Sequence, residues 1–188
     1  MKKILVLLVM ILGLVVLFSG CVRWLEPEPG PGETEYQLEM TVEVAGQINT
    51  DDGIYYIVLD TDEDSADGPG DDISFWEDNF YYVKLDSMGF YFAQVKDDSE
   101  SIFDGGSFSG NKLQVTIALS DLEDPNSVDI NVLTTDLGND TYDYLDNGYF
   151  TISTELGFKE TEDDSPDDSG DGGVDYDIVN VTAEITTP

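Results

Sequence analysis

Histidine is absent from this 188-residue chain, cysteine occurs once, and seven lysines and arginines stand against 41 aspartates and glutamates. Without histidine there is no Ser-His-Asp triad, no Cys-His pair, no imidazole zinc ligand and no imidazole general base. A lone cysteine forbids an intrachain disulfide, so stability must come from packing or from bound ions. A formal charge of −34 repels nucleic acid and anionic lipid headgroups and attracts cations, among which calcium is the abundant extracellular choice. Acidity of this kind also serves solubility alone, and composition does not separate the two. Helical periodicity is missing beyond the first twenty residues, apart from a short turn predicted at Ser120-Asp121-Leu122-Glu123 before Pro125.

What is present at the N-terminus has a definite pattern. Lys2 and Lys3 precede an apolar run from Ile4 to Phe18 that only Gly13 interrupts. A run of this length is short for a membrane span, which takes about 20 apolar residues. The string Leu17-Phe18-Ser19-Gly20-Cys21 resembles the lipobox of bacterial lipoproteins. The resemblance implies removal of residues 1–20 as a signal peptide and lipid attachment at Cys21, with diacylglyceryl on the sulfur and a fatty acid such as palmitate on the amine. It implies a domain held in the cell envelope, anchored to the membrane and outside the cytoplasm; the alternative is an uncleaved anchor. Each buried methylene of such a lipid contributes about 0.8 kcal/mol to anchoring. Loss of two lysines with the signal leaves 168 residues and moves the formal charge to −36, a length that suits one domain with a real core.

Residues 21–35 read as a tether, because Glu26-Pro27-Glu28-Pro29-Gly30-Pro31-Gly32-Glu33 cannot bury a core and proline keeps it extended. Trp24 is placed to rest at headgroup level. From Tyr36 to the C-terminus the sequence predicts an all-β fold, a single antiparallel β-sandwich of the jelly-roll or immunoglobulin-like kind. Apolar residues alternate at Tyr36, Leu38, Met40, Val42 and Val44, at Leu113 to Leu119, at Val128 to Val132 and at Val179 to Ile185. That period of two marks half-buried strands. Ile54 to Leu59 is apolar throughout, as a central strand covered on both faces requires. Phe80 to Leu85 and Phe90 to Val95 are predicted hairpin partners around Asp86-Ser87-Met88-Gly89, and Asp51-Asp52-Gly53 reads as another hairpin turn. Residues 160–173 are acidic, poor in apolar side chains and broken by proline and glycine, which predicts an exposed loop or disordered insert.

The segment with most chemistry follows the predicted central strand. Asp60, Asp62, Asp64, Asp67 and Asp71 have a spacing that lets carboxylates converge on one calcium ion, which takes roughly six to eight oxygen ligands. Ser65 replaces the glycine, and Asp71 the bidentate glutamate, of an EF-hand, so a looser aspartate loop is expected, against the alternative of a merely solvated acidic loop. Asp136-Leu137-Gly138-Asn139-Asp140 would add ligands if it lay at the same end of the sandwich. Aromatic residues crowd the interval from Tyr55 to Phe92, where Phe80 with Tyr82 and Phe90 with Phe92 are expected in the core. Trp76, outside the strands, is the residue best placed to stack on a ligand such as a sugar ring.

The run Ile54-Tyr55-Tyr56-Ile57-Val58-Leu59-Asp60-Thr61-Asp62, then Ile117-Ala118-Leu119-Ser120-Asp121-Leu122, then Val128 to Asp136, resembles the order of core strands in DOMON-like domains and family 9 carbohydrate-binding modules. The resemblance implies a β-sandwich that binds sugars or haem, in several members with structural calcium. The function expected is therefore a non-catalytic lipoprotein whose calcium-stabilised sandwich binds a glycan or another envelope component. The alternative is a structural or assembly lipoprotein with a protein partner and neither glycan nor metal. An enzyme is not expected: two carboxylates can hydrolyse glycosides, but no pair among 41 acids stands out. The sequons at Asn139 and Asn180 are read as coincidence.

Overall fold

Alternation in the sequence becomes two packed sheets. The computed structural model describes residues 35–64, 66, 68–97, 99–165 and 172–188. Its strands, in chain order, are β1 (Gln37–Val44), β2 (Gly53–Asp60), β3 (Tyr81–Asp86), β4 (Gly89–Gln94), β5 (Ser101–Ile102) and β6 (Gly106–Ser109). They continue with β7 (Lys112–Ala118), β8 (Ser127–Asp136), β9 (Thr141–Tyr144), β10 (Phe150–Ser153), β11 (Lys159–Asp163) and β12 (Ile178–Thr186). The smaller sheet runs β11-β12-β1-β7-β6 and the larger β10-β8-β2-β3-β4-β5, with β9 beside the second half of β8. Every pairing is antiparallel. The all-β antiparallel sandwich expected from the alternating runs is the fold observed.

In β1 the apolar set Leu38, Met40, Val42 and Val44 is buried, while Gln37, Glu39, Thr41 and Glu43 point the other way. Met40 faces Ala183 on one side and Val115 on the other, so three alternating strands present a continuous apolar surface. The larger sheet answers with Tyr55, Ile57 and Leu59 of β2, Tyr81, Val83 and Leu85 of β3, and Val128, Ile130 and Val132 of β8. Burying each such aliphatic side chain contributes about 1.5–3 kcal/mol. β2 is buried at all eight positions, as its unbroken apolar run required, because its second face meets a separate apolar cluster.

The β3–β4 hairpin forms where expected, with Asp86 opposite Gly89. The N–H of Met88 donates to Asp86 Oδ1 at 2.8 Å, and Gly89 takes φ +123°, a value that suits glycine. The short turn before Pro125 also forms, as a 3-10 turn over Leu119–Leu122 closed by left-handed Glu123. Asp51-Asp52-Gly53 is not a hairpin turn, since β1 and β2 belong to different sheets and the chain crosses between them there. Glycine is needed at 53 for close approach: a Cβ would lie 2.7 Å from the Thr135 carbonyl oxygen and 2.4 Å from the Tyr176 ring.

The acidic segment 160–173 is not wholly loop. Its first residues extend β11, which pairs with β12 from Lys159 opposite Glu184 to Asp163 opposite Asn180. A charged, solvent-facing edge strand lacks apolar alternation, and charge on an edge discourages pairing with other chains. Residues 166–171 of that segment lie outside the described residues, as do residues 1–34, which hold the expected signal peptide, Cys21 and Trp24, and Asp67.

Candidate functional site

Between β2 and β3 the chain takes a long connection, residues 61–80, whose described residues lie as a strap over the outer face of the larger sheet. Connections this long are uncommon and usually functional. Ile54, Tyr56, Val58 and Leu133 face outward from β2 and β8 and form a second apolar cluster with Trp76 and Phe80 of the strap. Successive contacts trace its course. Glu63 accepts from Asn126, at 3.0 Å from the backbone N–H and 2.7 Å from Nδ2. The Pro69 carbonyl accepts from Asn131 Nδ2 at 3.0 Å, the Gly70 carbonyl from Trp76 Nε1 at 3.1 Å, and the Asp71 carbonyl from Thr141 Oγ1 at 2.8 Å.

That course decides how the predicted calcium ligands lie. Asp60 ends β2 opposite Asp129. Asp71 meets Thr141, which pairs with Thr135, itself opposite Ile54. Six residues of strand separate Ile54 from Asp60, about 20 Å at roughly 3.3 Å per residue, so Asp71 sits at the far end of the face. Asp60, Asp62 and Asp64 form a staircase of turns instead. The N–H of Asp62 donates to Asp60 Oδ1 at 3.0 Å, that of Asp64 to Asp62 Oδ1 at 2.7 Å, and that of Ala66 to Asp64 Oδ1 at 3.2 Å. Aspartate at every second position is what such turns ask for, since each side chain caps the backbone two residues on. Asp60 is buried and Asp62 and Asp64 are exposed. Among the described residues no three acidic or cysteine side chains converge as a metal would require.

The 136–140 turn lies at the opposite end of β2 from Asp60, because Asp136 faces Gly53. Its oxygens serve the turn and the strap face: Asp136 Oδ1 accepts from the N–H groups of Gly138 at 2.6 Å and Asp140 at 2.9 Å. Asn139 Oδ1 accepts from the Tyr56 hydroxyl at 3.1 Å. Burial pushes the Tyr56 phenol well above its ordinary range, and Glu100 adds to the rise.

Trp76 is only 9 % exposed, so its ring is packing and not an open stacking surface. It meets Tyr56 edge-on at 5.5 Å and Tyr82 at 5.8 Å. The residue before it is the opposite case: Phe75 is 81 % exposed, at the end of a single 3-10 turn that Asp72 caps through the Ser74 N–H at 2.9 Å. No periodicity separates these neighbours in the sequence. Phe80 packs in the outer cluster rather than between the sheets, with Tyr82 half-buried against it, whereas Phe90 and Phe92 pack against the inter-sheet core as expected.

Two further polar features stand apart from the strap's acidic run. Lys84 is clamped between Glu100 and Asp86, 3.4 Å from the latter, and lies 4.7 Å over the Tyr91 ring. Burial works against its charge, but the two carboxylates hold its pKa above the usual value. Asp164, just beyond the end of β11, is pushed up to about 7 by burial and by the adjacent Asp146 carboxyl, with Asp143 adding to the rise. On the outer face of the smaller sheet a depression of about 170 Å³ is lined by Glu39, Thr41, Ser107, Gln114 and Thr116. That is below the roughly 300–1,000 Å³ of small-molecule pockets, so it is a dimple.

Comparison of the chain with protein-family models, with curated proteins and with solved structures finds no match.

Proposed function

We propose that the chain is a lipid-anchored, non-catalytic module of the cell envelope, held outside the cytoplasm by Cys21 and the tether, that binds a glycan or another envelope component through the strap. The observation that carries this reading is the exposed Phe75 on a strap pinned from Glu63 to Phe80. An amphipathic or apolar ring held out on a pinned support, on the 3-10 turn that the Asp72 carboxylate caps, is an arrangement that stacks on a sugar ring while polar neighbours take its hydroxyls. The resemblance to carbohydrate-binding sandwiches supports the same class of ligand. Calcium is its proposed stabilising ion, given the acidic strap.

Burial of Trp76 favours the second reading to one degree, in which the partner is an envelope protein and no sugar is bound. A glycan array probed with the unlipidated chain separates the two. Binding that Phe75→Ala lowers at least tenfold, with the thermal midpoint unchanged, is the expected result. An array blank for the folded protein would overturn the glycan reading and leave the protein-partner one. Cys21→Ser should release the protein from the membrane fraction if the anchor is as proposed.

A further inference from the structure

We propose that Asp60, Asp129 and the side-chain oxygen of Asn131 form a calcium site sealed beneath the strap. The site rests on the cation-binding part of the function proposed above, but takes its ligands from two strands and not from the exposed aspartate staircase.

Register places the three together. Asp60 is directly opposite Asp129, and Val58 is directly opposite Asn131. Directly opposed residues share a face, and residues two apart along a strand share it again, so both carboxylates and the amide project to the strap side. Opposed Cβ atoms lie about 4.5–5.5 Å apart. All three side chains are enclosed, at 2 %, 4 % and 0 % exposure. Two acidic side chains face to face repel when ionised, and burial deprives them of water, the circumstances in which buried carboxylates pair or coordinate an ion.

The amide supplies the independent observation. Asn131 Oδ1 is buried with no hydrogen-bond partner, although its Nδ2 donates to the Pro69 carbonyl at 3.0 Å. That bond settles the orientation of the amide, since flipping it would set oxygen against oxygen. A buried amide oxygen without a donor is a rarity that calls for an explanation, and a bound ion is one of the few that chemistry offers. Neighbouring groups hold the two acids in place: the Thr151 hydroxyl donates to Asp129 and the Asp62 N–H to Asp60. Two carboxylates and one neutral amide make an all-oxygen set whose charge cancels a divalent ion. Strap carbonyls and water would complete the roughly six to eight ligands that calcium takes.

The test is the thermal midpoint of the full chain in mild detergent, in chelator and then in calcium at about a hundredfold its dissociation constant, at physiological ionic strength. The wild type should rise by several degrees, as a ligand bound only by the folded state requires. Asp129→Asn should abolish the rise while folding at least as well in chelator, because it removes one of two facing charges. Asn131→Asp should lower the midpoint in chelator and enlarge the rise in calcium, a reversal that a merely structural amide would not produce. Asp62→Ala, which loses only a turn cap, should keep the rise. A rise that survives Asp129→Asn and vanishes in Asp62→Ala would overturn the buried site and move the ion to the exposed staircase. No rise in the wild type would overturn the calcium site, while the glycan array result would stand or fall separately.

Discussion

The two sheets treat their outer faces in opposite ways. On the smaller one, Glu39, Thr41, Gln114 and Thr116 face outward to solvent and line only a shallow depression. On the larger, Ile54, Tyr56 and Val58 face outward and the strap closes over them with Trp76 and Phe80. The difference follows from one strand each. β1 alternates and so has one apolar face to satisfy, whereas β2 is apolar at successive positions and has two. A sheet with a doubly apolar centre needs a second layer, and here a loop rather than a helix provides it. The consequence for function is that the covered face acquires a buried polar end and a rigid exposed tip, while the open face acquires neither.

Trp76 is the side chain on which the covered face depends most. Trp76→Ala should cost about 3–5 kcal/mol, the range for emptying a buried aromatic site, whereas Thr41→Ala on the open face should stay within about 0.5 kcal/mol. Urea denaturation of both variants checks this, and a Trp76→Ala loss under about 1 kcal/mol, the size of an ordinary mutational effect, would mean that the strap is not packed. The next effect is on pH. Asp164 holds its proton in the folded state up to about pH 7, while the unfolded chain loses it near 3.8. The folded state therefore binds more protons across that interval, and stability falls as pH rises through it and levels off above. Asp164→Asn, which keeps a donor toward Asp146, should remove that decline and gain on the order of 1–2 kcal/mol at about pH 8, after allowance for screening by water. Equal slopes for variant and wild type across the same interval would refute it.

The smallest effect sharpens the reading of the aspartates. Asp62→Ala removes an exposed carboxylate whose bond is to the Asp64 N–H, and about 0.5–1.5 kcal/mol is the ordinary net worth of such a bond. Asp62→Asn, which keeps an acceptor, should recover most of it in the same urea titration. If Asn were no better than Ala, the charge and not the turn would be what position 62 supplies.

Much of the fold is legible in the order of the residues. Alternation at β1, β7, β8 and β12, the unbroken run of β2, the β3–β4 hairpin and the turn before Pro125 all follow from side-chain periodicity and local turn chemistry. β5, β6, β9, β10 and β11 escape such a reading, being short or charged strands that bury too little to imprint a pattern. Trp76 and Phe75 have the same local signature, and only the strap's path says which of them is packed. The Asp60, Asp62, Asp64 spacing reads equally as a calcium loop and as a staircase of turns, because both want an oxygen at every second residue.

The amino-acid sequence by itself determined an acidic, histidine-free, all-β chain whose central strand needs cover on both faces, since composition and periodicity act residue by residue. Only the tertiary structure decided what supplies the cover, which aromatic ring stays in solvent, and that Asp60 stands against Asp129 rather than Asp71. Those outcomes depend on the pairing of segments far apart in the chain, and sheet register, which no local pattern carries, sets them.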